Sequence, residues 1–197
     1  MRLKGHRERK RAASALDAAG LQALAEQDRS RPGSAVRRQG SVYLRDHQRT
    51  QRVDLRLLRH ILRSLLLEIL DRSEFELDIH IVEQEEMTRL NETFLRHKGS
   101  TDVITFDYGV PESRRIQGEI FVCLTEAFQQ AKKFRVTWQE ELVRYAVHGV
   151  LHLCGYDDKT VASRREMKRI ENGALKRLAR EYYFPKLGGH RKSANGR

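Results

Sequence analysis

Cysteine is scarce in this 197-residue chain, which holds only Cys123 and Cys154. Two thiols are too few for a disulfide framework and suit a reducing cytosol, so a cytoplasmic location is expected. Long apolar runs are missing too. The most apolar stretch, Leu55 to Leu70, is broken by Arg56, Arg59, His60, Arg63 and Glu68. It reads as an amphipathic helix, well short of the ~20 apolar residues of a membrane span. The first twenty residues are charged and contain no apolar core, so a secretory signal is not expected. No internal repeat is visible.

Acidic residues are in deficit, with a formal net charge of +11. The excess lies at the ends: residues 1–40 carry +6 and residues 186–197 carry +4, which leaves +1 for 41–185. Basic ends of this kind suit salt-sensitive, sequence-independent contact with phosphates, or are simply solvated. The Arg-rich start is also the composition of a transit peptide. Ser30-Arg-Pro-Gly-Ser34 breaks the pattern, so the expected organisation is a basic, flexible extension over 1–40, a folded domain over 41–185 and a basic flexible tail over 186–197.

Within the domain the hydrophobic period switches repeatedly. Phe75, Leu77, Ile79 and Ile81 alternate with polar residues, the mark of a half-buried strand. Ser41–Arg45, Val103–Phe106 and Glu119–Leu124 predict three more strands, the last two around a turn containing Pro111. Helical spacing predicts helices over Val53–Leu70, Glu85–Phe94 and Thr125–Phe134, the last capped by Thr125. Thr137-Trp-Gln-Glu140 and Ser163-Arg-Arg-Glu166 read as capping boxes that open two more helices. The expected fold is α/β (α+β): a small mixed four-stranded sheet with about five helices, and a zinc site at the end of a central helix.

That site rests on the segment His148-Gly-Val-Leu-His152-Leu-Cys-Gly155-Tyr-Asp157-Asp158. Residues four apart share a helix face, so both imidazoles can reach one ion. Gly155 tolerates a positive φ and lets the chain turn back after the helix. Asp158 then stands where a third ligand is needed, with Asp157 as competitor or as support for a histidine. Two imidazoles, one carboxylate and a water form an accepted catalytic zinc set. A zinc protease of the His-Glu-x-x-His kind carries its general base directly after the first histidine. Here that residue is Gly149, which disfavours peptide hydrolysis. Cys154 reads as a packing residue. Lys98, Lys132, Lys133, Arg135 and Arg144 are candidates for an RNA track.

The same residues closely resemble the signature of the YbeY family of metal-dependent endoribonucleases, His-Gly-x-Leu-His-Leu-x-Gly-Tyr-Asp-His. A second block, Asn91-Glu-Thr-Phe-Leu-Arg96-His-Lys-Gly-Ser-Thr101-Asp-Val-Ile-Thr-Phe106, is similar to the family's Asn-x-x-x-Arg-x-x-x-x-x-Thr-(Asn/Asp)-Val-Leu-Ser-Phe with one residue added in the first gap and one fewer in the second. Gly118-Glu-Ile matches a third. The resemblance spans residues 41 to about 182. It implies a mixed sheet, one zinc ion at the head of a cleft, and single-strand-specific cleavage of RNA. The implied role is rRNA maturation, above all at the 3′ end of the small-subunit rRNA, and ribosome quality control. It also implies that Arg96 is a catalytic arginine of the cleft, where a guanidinium can pair with a phosphate. This chain departs from the signature at Asp158, where the family has its third histidine. Two rivals remain: a zinc peptidase with metzincin-like ligand spacing, and a non-catalytic ribosome-assembly factor with structural zinc.

Overall fold

The computed structural model describes residues 2–3, 40–110 and 113–188. The remainder of the two basic ends, and the turn containing Pro111, lie outside the described residues. The chain order is β1 (Arg2–Leu3), β2 (Gly40–Asp46), α1 (Leu55–Ser64), β3 (Phe75–Val82), α2 (Gln84–Leu90), β4 (Val103–Asp107), β5 (Ile116–Cys123), α3 (Leu124–Phe134), α4 (Trp138–Leu153) and α5 (Val161–Glu181). Single π-turns extend α1 over Leu65–Ile69 and α2 over Asn91–Leu95, and a 3-10 turn spans Phe184–Gly188. Leu187 in that last turn is fully buried, so packed structure continues to the end of the described chain.

The sheet order is β1-β4-β5-β3-β2. β2, β3 and β5 run parallel, and β4 is antiparallel to β5. This is the expected mixed four-stranded sheet, with the two-residue β1 added in parallel at the β4 edge. Thr137 caps α4 through the Glu140 amide, as the sequence predicts. Two other caps differ. α5 starts earlier than expected, on Thr160, whose hydroxyl and that of Ser163 exchange hydrogen bonds with each other's backbone amides. α3 begins at Leu124 directly after Cys123, so Thr125 lies inside the first turn and does not cap it.

Burial explains where α4 lies. Leu142, Val143, Ala146, Val147, Val150 and Leu151 are all buried, which is apolar nearly all round, and such a helix must be enclosed. It crosses β4 and β5 with α3 and α5 beside it. The other sheet face carries a smaller cluster, in which Met87, Leu90 and Leu95 cover Ile104 and Cys123.

Gly149 sets how closely α4 approaches the sheet. A Cβ there would lie 2.6 Å from Ile120 Cγ2 and 3.3 Å from Val103 Cγ2. These are β-branched methyls with few rotamers to escape into. Gly149→Ala should therefore destabilise the fold by about 1–3 kcal/mol of overpacking, despite alanine's better helix propensity. The midpoint of urea unfolding measures this. The same contact bears on the protease reading: a base at position 149 would have no room against Ile120 and Val103.

Candidate metal centre

The C-terminal turn of α4 builds the site. Its helical spacing brings the His148 and His152 rings to 4.7 Å, edge to face. The helix then closes in a Schellman turn: the Gly155 amide donates to His152 O and the Tyr156 amide to Leu151 O. Gly155 supplies the required left-handed backbone, with φ +99°. The turn reverses the chain, which has two consequences. Tyr156 O comes back to 3.1 Å from His152 Nδ1, and Asp158 Oδ2 lies 3.9 Å from His148 Nε2.

Protonation follows from the partners. His148 Nδ1 is 3.0 Å from Glu171 Oε2. A carboxylate and a carbonyl only accept, so each Nδ1 carries a proton, and in the neutral ring Nε2 is the atom left to ligate. One ligand atom from each of His148, His152 and Asp158 lies within 4.8 Å of the others. His152 is fully buried, yet its Nε2 has no hydrogen-bond partner among the described residues. Burial and the neighbouring His148 push its pKa down to about 4, which keeps it neutral and able to ligate. A costly orphaned lone pair aimed at two further donors fits a zinc ion, and both imidazoles have the outer hydrogen bonds that orient metal ligands.

Glu171 is a site residue that the sequence reading missed. It is a buried carboxylate on α5 and also accepts from Arg144 Nη1 at 2.8 Å. Burial alone would raise its carboxyl pKa, but hydrogen bonds from His148 and Arg144 outweigh that and hold it below the ordinary range. The available signal was its place among Met167, Ile170, Ala174 and Leu178, the apolar stripe of α5, where an unpaired glutamate does not belong. Arg144, expected on an RNA track, is instead held by Glu141, Glu140, Glu171 and Asn172. Its charge is largely committed inside the fold.

A cavity of about 240 Å³ opens beside His148 and Asp158, walled by Asp102, Arg144, Tyr145, Met167 and Glu171 and rimmed by Arg164 and Lys168. Asp102, Arg144 and Tyr145 also line a second cavity of about 440 Å³ that extends to Gln130 and Phe134 on α3. The Tyr145 hydroxyl, shared by both walls, has no hydrogen-bond partner among the described residues. Arg96 lines neither cavity. It is exposed, with φ +57° at the end of the π-turn after α2, six residues before Asp102. The loop between them is tied by Asn91 Nδ2 donating to Gly99 O at 2.8 Å. Lys98 is exposed on that loop, and Lys132, Lys133 and Arg135 are exposed at the end of α3. Lys133 Nζ stands 5.4 Å from the centre of the Phe134 ring. Asp157 is engaged in its own turn, accepting from the Asp158 amide at 2.9 Å and lying 3.8 Å from Lys159 Nζ. Cys154 is not among the grouped ligands.

Known proteins resemble this chain. Proteins called Endoribonuclease YbeY from Azobacteroides pseudotrichonymphae, Flavobacterium psychrophilum and Parabacteroides distasonis are 38%, 36% and 40% identical over 94, 106 and 97 residues. The matched stretches cover 48%, 54% and 49% of this chain, and 66%, 74% and 67% of those relatives. The chain thus spans about two thirds of the length of these curated relatives. A solution structure of a Thermotoga maritima protein shares the fold, with a TM-score of 0.55 at 23% identity, covering 80% of this chain and all of that one. The family model described as Endoribonuclease YbeY matches residues 43–179, which take in every strand from β3 to β5, most of β2 and the three grouped ligands. The chain belongs to the YbeY endoribonuclease family.

Proposed function

We propose that this protein is a zinc-dependent endoribonuclease that cuts single-stranded RNA, acting in the cytoplasm on the ribosomal small subunit. Its task would be maturation of the 3′ end of the small-subunit rRNA, and ribosome quality control. The observation that carries the reading is the pair of imidazoles whose Nδ1 atoms are held while both Nε2 lone pairs face Asp158. His148, His152 and Asp158 would hold one zinc ion, which when bound supplies Lewis acidity toward a phosphate oxygen and toward water. Glu171 and the Tyr156 carbonyl fix the two rings. Arg164 and Lys168 at the rim, and the unpartnered Tyr145 hydroxyl in the wall, offer donors to a phosphodiester. Arg96 is proposed to pair with a phosphate where the strand leaves the cavity along the Arg96–Asp102 loop. Lys98, Lys132, Lys133 and Arg135 would extend the contact with RNA.

The rival readings fit less well. A peptidase base at position 149 has no room against Ile120. Structural zinc sites are closed by four protein ligands, whereas the described residues here group three beside an open cavity.

Asp158 is the ligand by which this chain differs from the signature, so it provides the test. Asp158→Asn should weaken zinc binding by at least ~10-fold and slow cleavage of a single-stranded RNA in step. Asp157→Asn should change both less than threefold. Competition with a chromophoric chelator and a gel assay on labelled RNA read the two quantities. If Asp158→Asn keeps full zinc affinity and cleavage, the three-ligand site is wrong.

A further inference from the structure

The charge on α5 is strongly one-sided. At about 100° per residue, Arg164, Lys168, Arg165, Lys176, Arg169 and Arg180 follow one another around one flank of the helix, over an arc of about 160°. Glu166 falls outside this arc. Of the buried residues, Met167, Ala174 and Leu178 lie on the other side, while Leu175 sits beneath the start of the flank, between Arg164 and Lys168. All six cations are exposed. Among the described residues Arg164 donates only to a backbone oxygen, that of Asp158. Lys168, Arg165, Lys176, Arg169 and Arg180 have no hydrogen-bond or ion-pair partner among the described residues. By contrast Arg144, one helix away, is surrounded by carboxylates.

Position gives the flank its meaning. It begins inside the rim of the cavity, where Arg164 and Lys168 stand with His148 and Asp158. From Arg164 to Arg180 it runs about 24 Å along the helix axis, away from the proposed metal ligands. Unneutralised cations on a rigid element, continuous with a phosphodiester-cleaving site, form a track for a polyanion threaded through that site. The flank has few aromatics to stack on bases, which favours contact with the backbone and not with sequence.

We infer that the α5 flank is the docking surface for the single-stranded RNA segment that leads into the cavity, binding it through successive phosphates. This inference rests on the endoribonuclease reading. The test uses the full chain loaded with zinc and a labelled single-stranded oligoribonucleotide, with equilibrium affinity measured across a salt series on ice. Reversing Arg165, Arg169 and Lys176 together to Glu should weaken binding by at least ~10-fold at moderate salt. It should also flatten the slope of log affinity against log salt by about 2, since each lost phosphate contact removes roughly 0.7 on single strands. Reversing Arg49, Arg52 and Arg56 to Glu makes the same change in total charge on exposed residues that line neither cavity. It should leave the slope within about 0.5 of the parent value. Equal effects from both sets, or none from the α5 set, would overturn the inference while leaving the ribonuclease reading intact. A parent protein that neither binds nor cuts the RNA would overturn both.

Discussion

Replacing His152 by Leu should abolish zinc binding and cut RNA cleavage by at least ~10³-fold, the scale expected when an electrostatic catalytic element is lost outright, yet leave the zinc-free protein as stable as before or more so. The two effects have opposite signs because His152 has opposite roles in the two states. Without metal, its fully buried Nε2 has no partner among the described residues. An unsatisfied buried polar atom costs about 1–3 kcal/mol. Leucine has similar volume, removes that cost and gives up only the bond from Nδ1 to Tyr156 O, which is worth about 1 kcal/mol net. In a domain of this size a net gain of ~1 kcal/mol raises the melting temperature by roughly 2–4 °C. A residue kept at some cost to stability is the mark of a functional site. Melting curves of zinc-free parent and variant check the sign. A large fall in stability would show that His152 is a packing residue first.

The second large effect is expected at Glu171. This carboxylate accepts from two donors at once, His148 Nδ1 at 3.0 Å and Arg144 Nη1 at 2.8 Å. Glutamine keeps the shape but has one acceptor oxygen and one amide donor. With its oxygen toward His148, the amide faces the Arg144 guanidinium, donor against donor. With its oxygen toward Arg144, the amide donates to His148 Nδ1 and forces the ring proton onto Nε2, the atom meant for zinc. Either way one partner is lost. Glu171→Gln should therefore weaken zinc binding about 10–100-fold, the usual size for an outer partner of a ligating histidine. Arg144 keeps Glu141 at 3.2 Å, so the fold should survive, and thermal melting of the zinc-free variant confirms that independently. Zinc affinity within twofold of the parent would mean that Glu171 serves only to neutralise Arg144.

The legibility of this site in the sequence follows the range of its interactions. His148, His152, Gly155 and Asp158 lie within eleven consecutive residues, and helix periodicity plus one Schellman turn suffices to bring them together. The strand alternation from Phe75 to Ile81 and the cap at Thr137 are local in the same sense. Glu171 lies 23 residues from His148, and its meeting with that ring depends on how α5 packs across α4. Local spacing carries no such information. The fate of Arg144 was hidden for the same reason: two of the four groups that hold it, Glu171 and Asn172, lie on the next helix, and composition made it look like a free surface cation. The early start of α5 was missed because Ser163 imitates a cap while serving as the third residue of the capping box closed by Thr160. Gly149 could be read as a missing base but not as the point where α4 touches Ile120, since that contact joins a helix to a strand 29 residues away.

The central claim is that His148, His152 and Asp158 hold a metal ion on which RNA cleavage depends. The most direct measurement determines zinc content and the rate of single-stranded RNA cleavage on the same preparations of parent and His152→Leu protein. The account predicts about one zinc per parent chain, none in the variant, and cleavage only where zinc is present, consistent with a single three-residue ligand set. A variant that holds no zinc but still cuts RNA at the parent rate would contradict it.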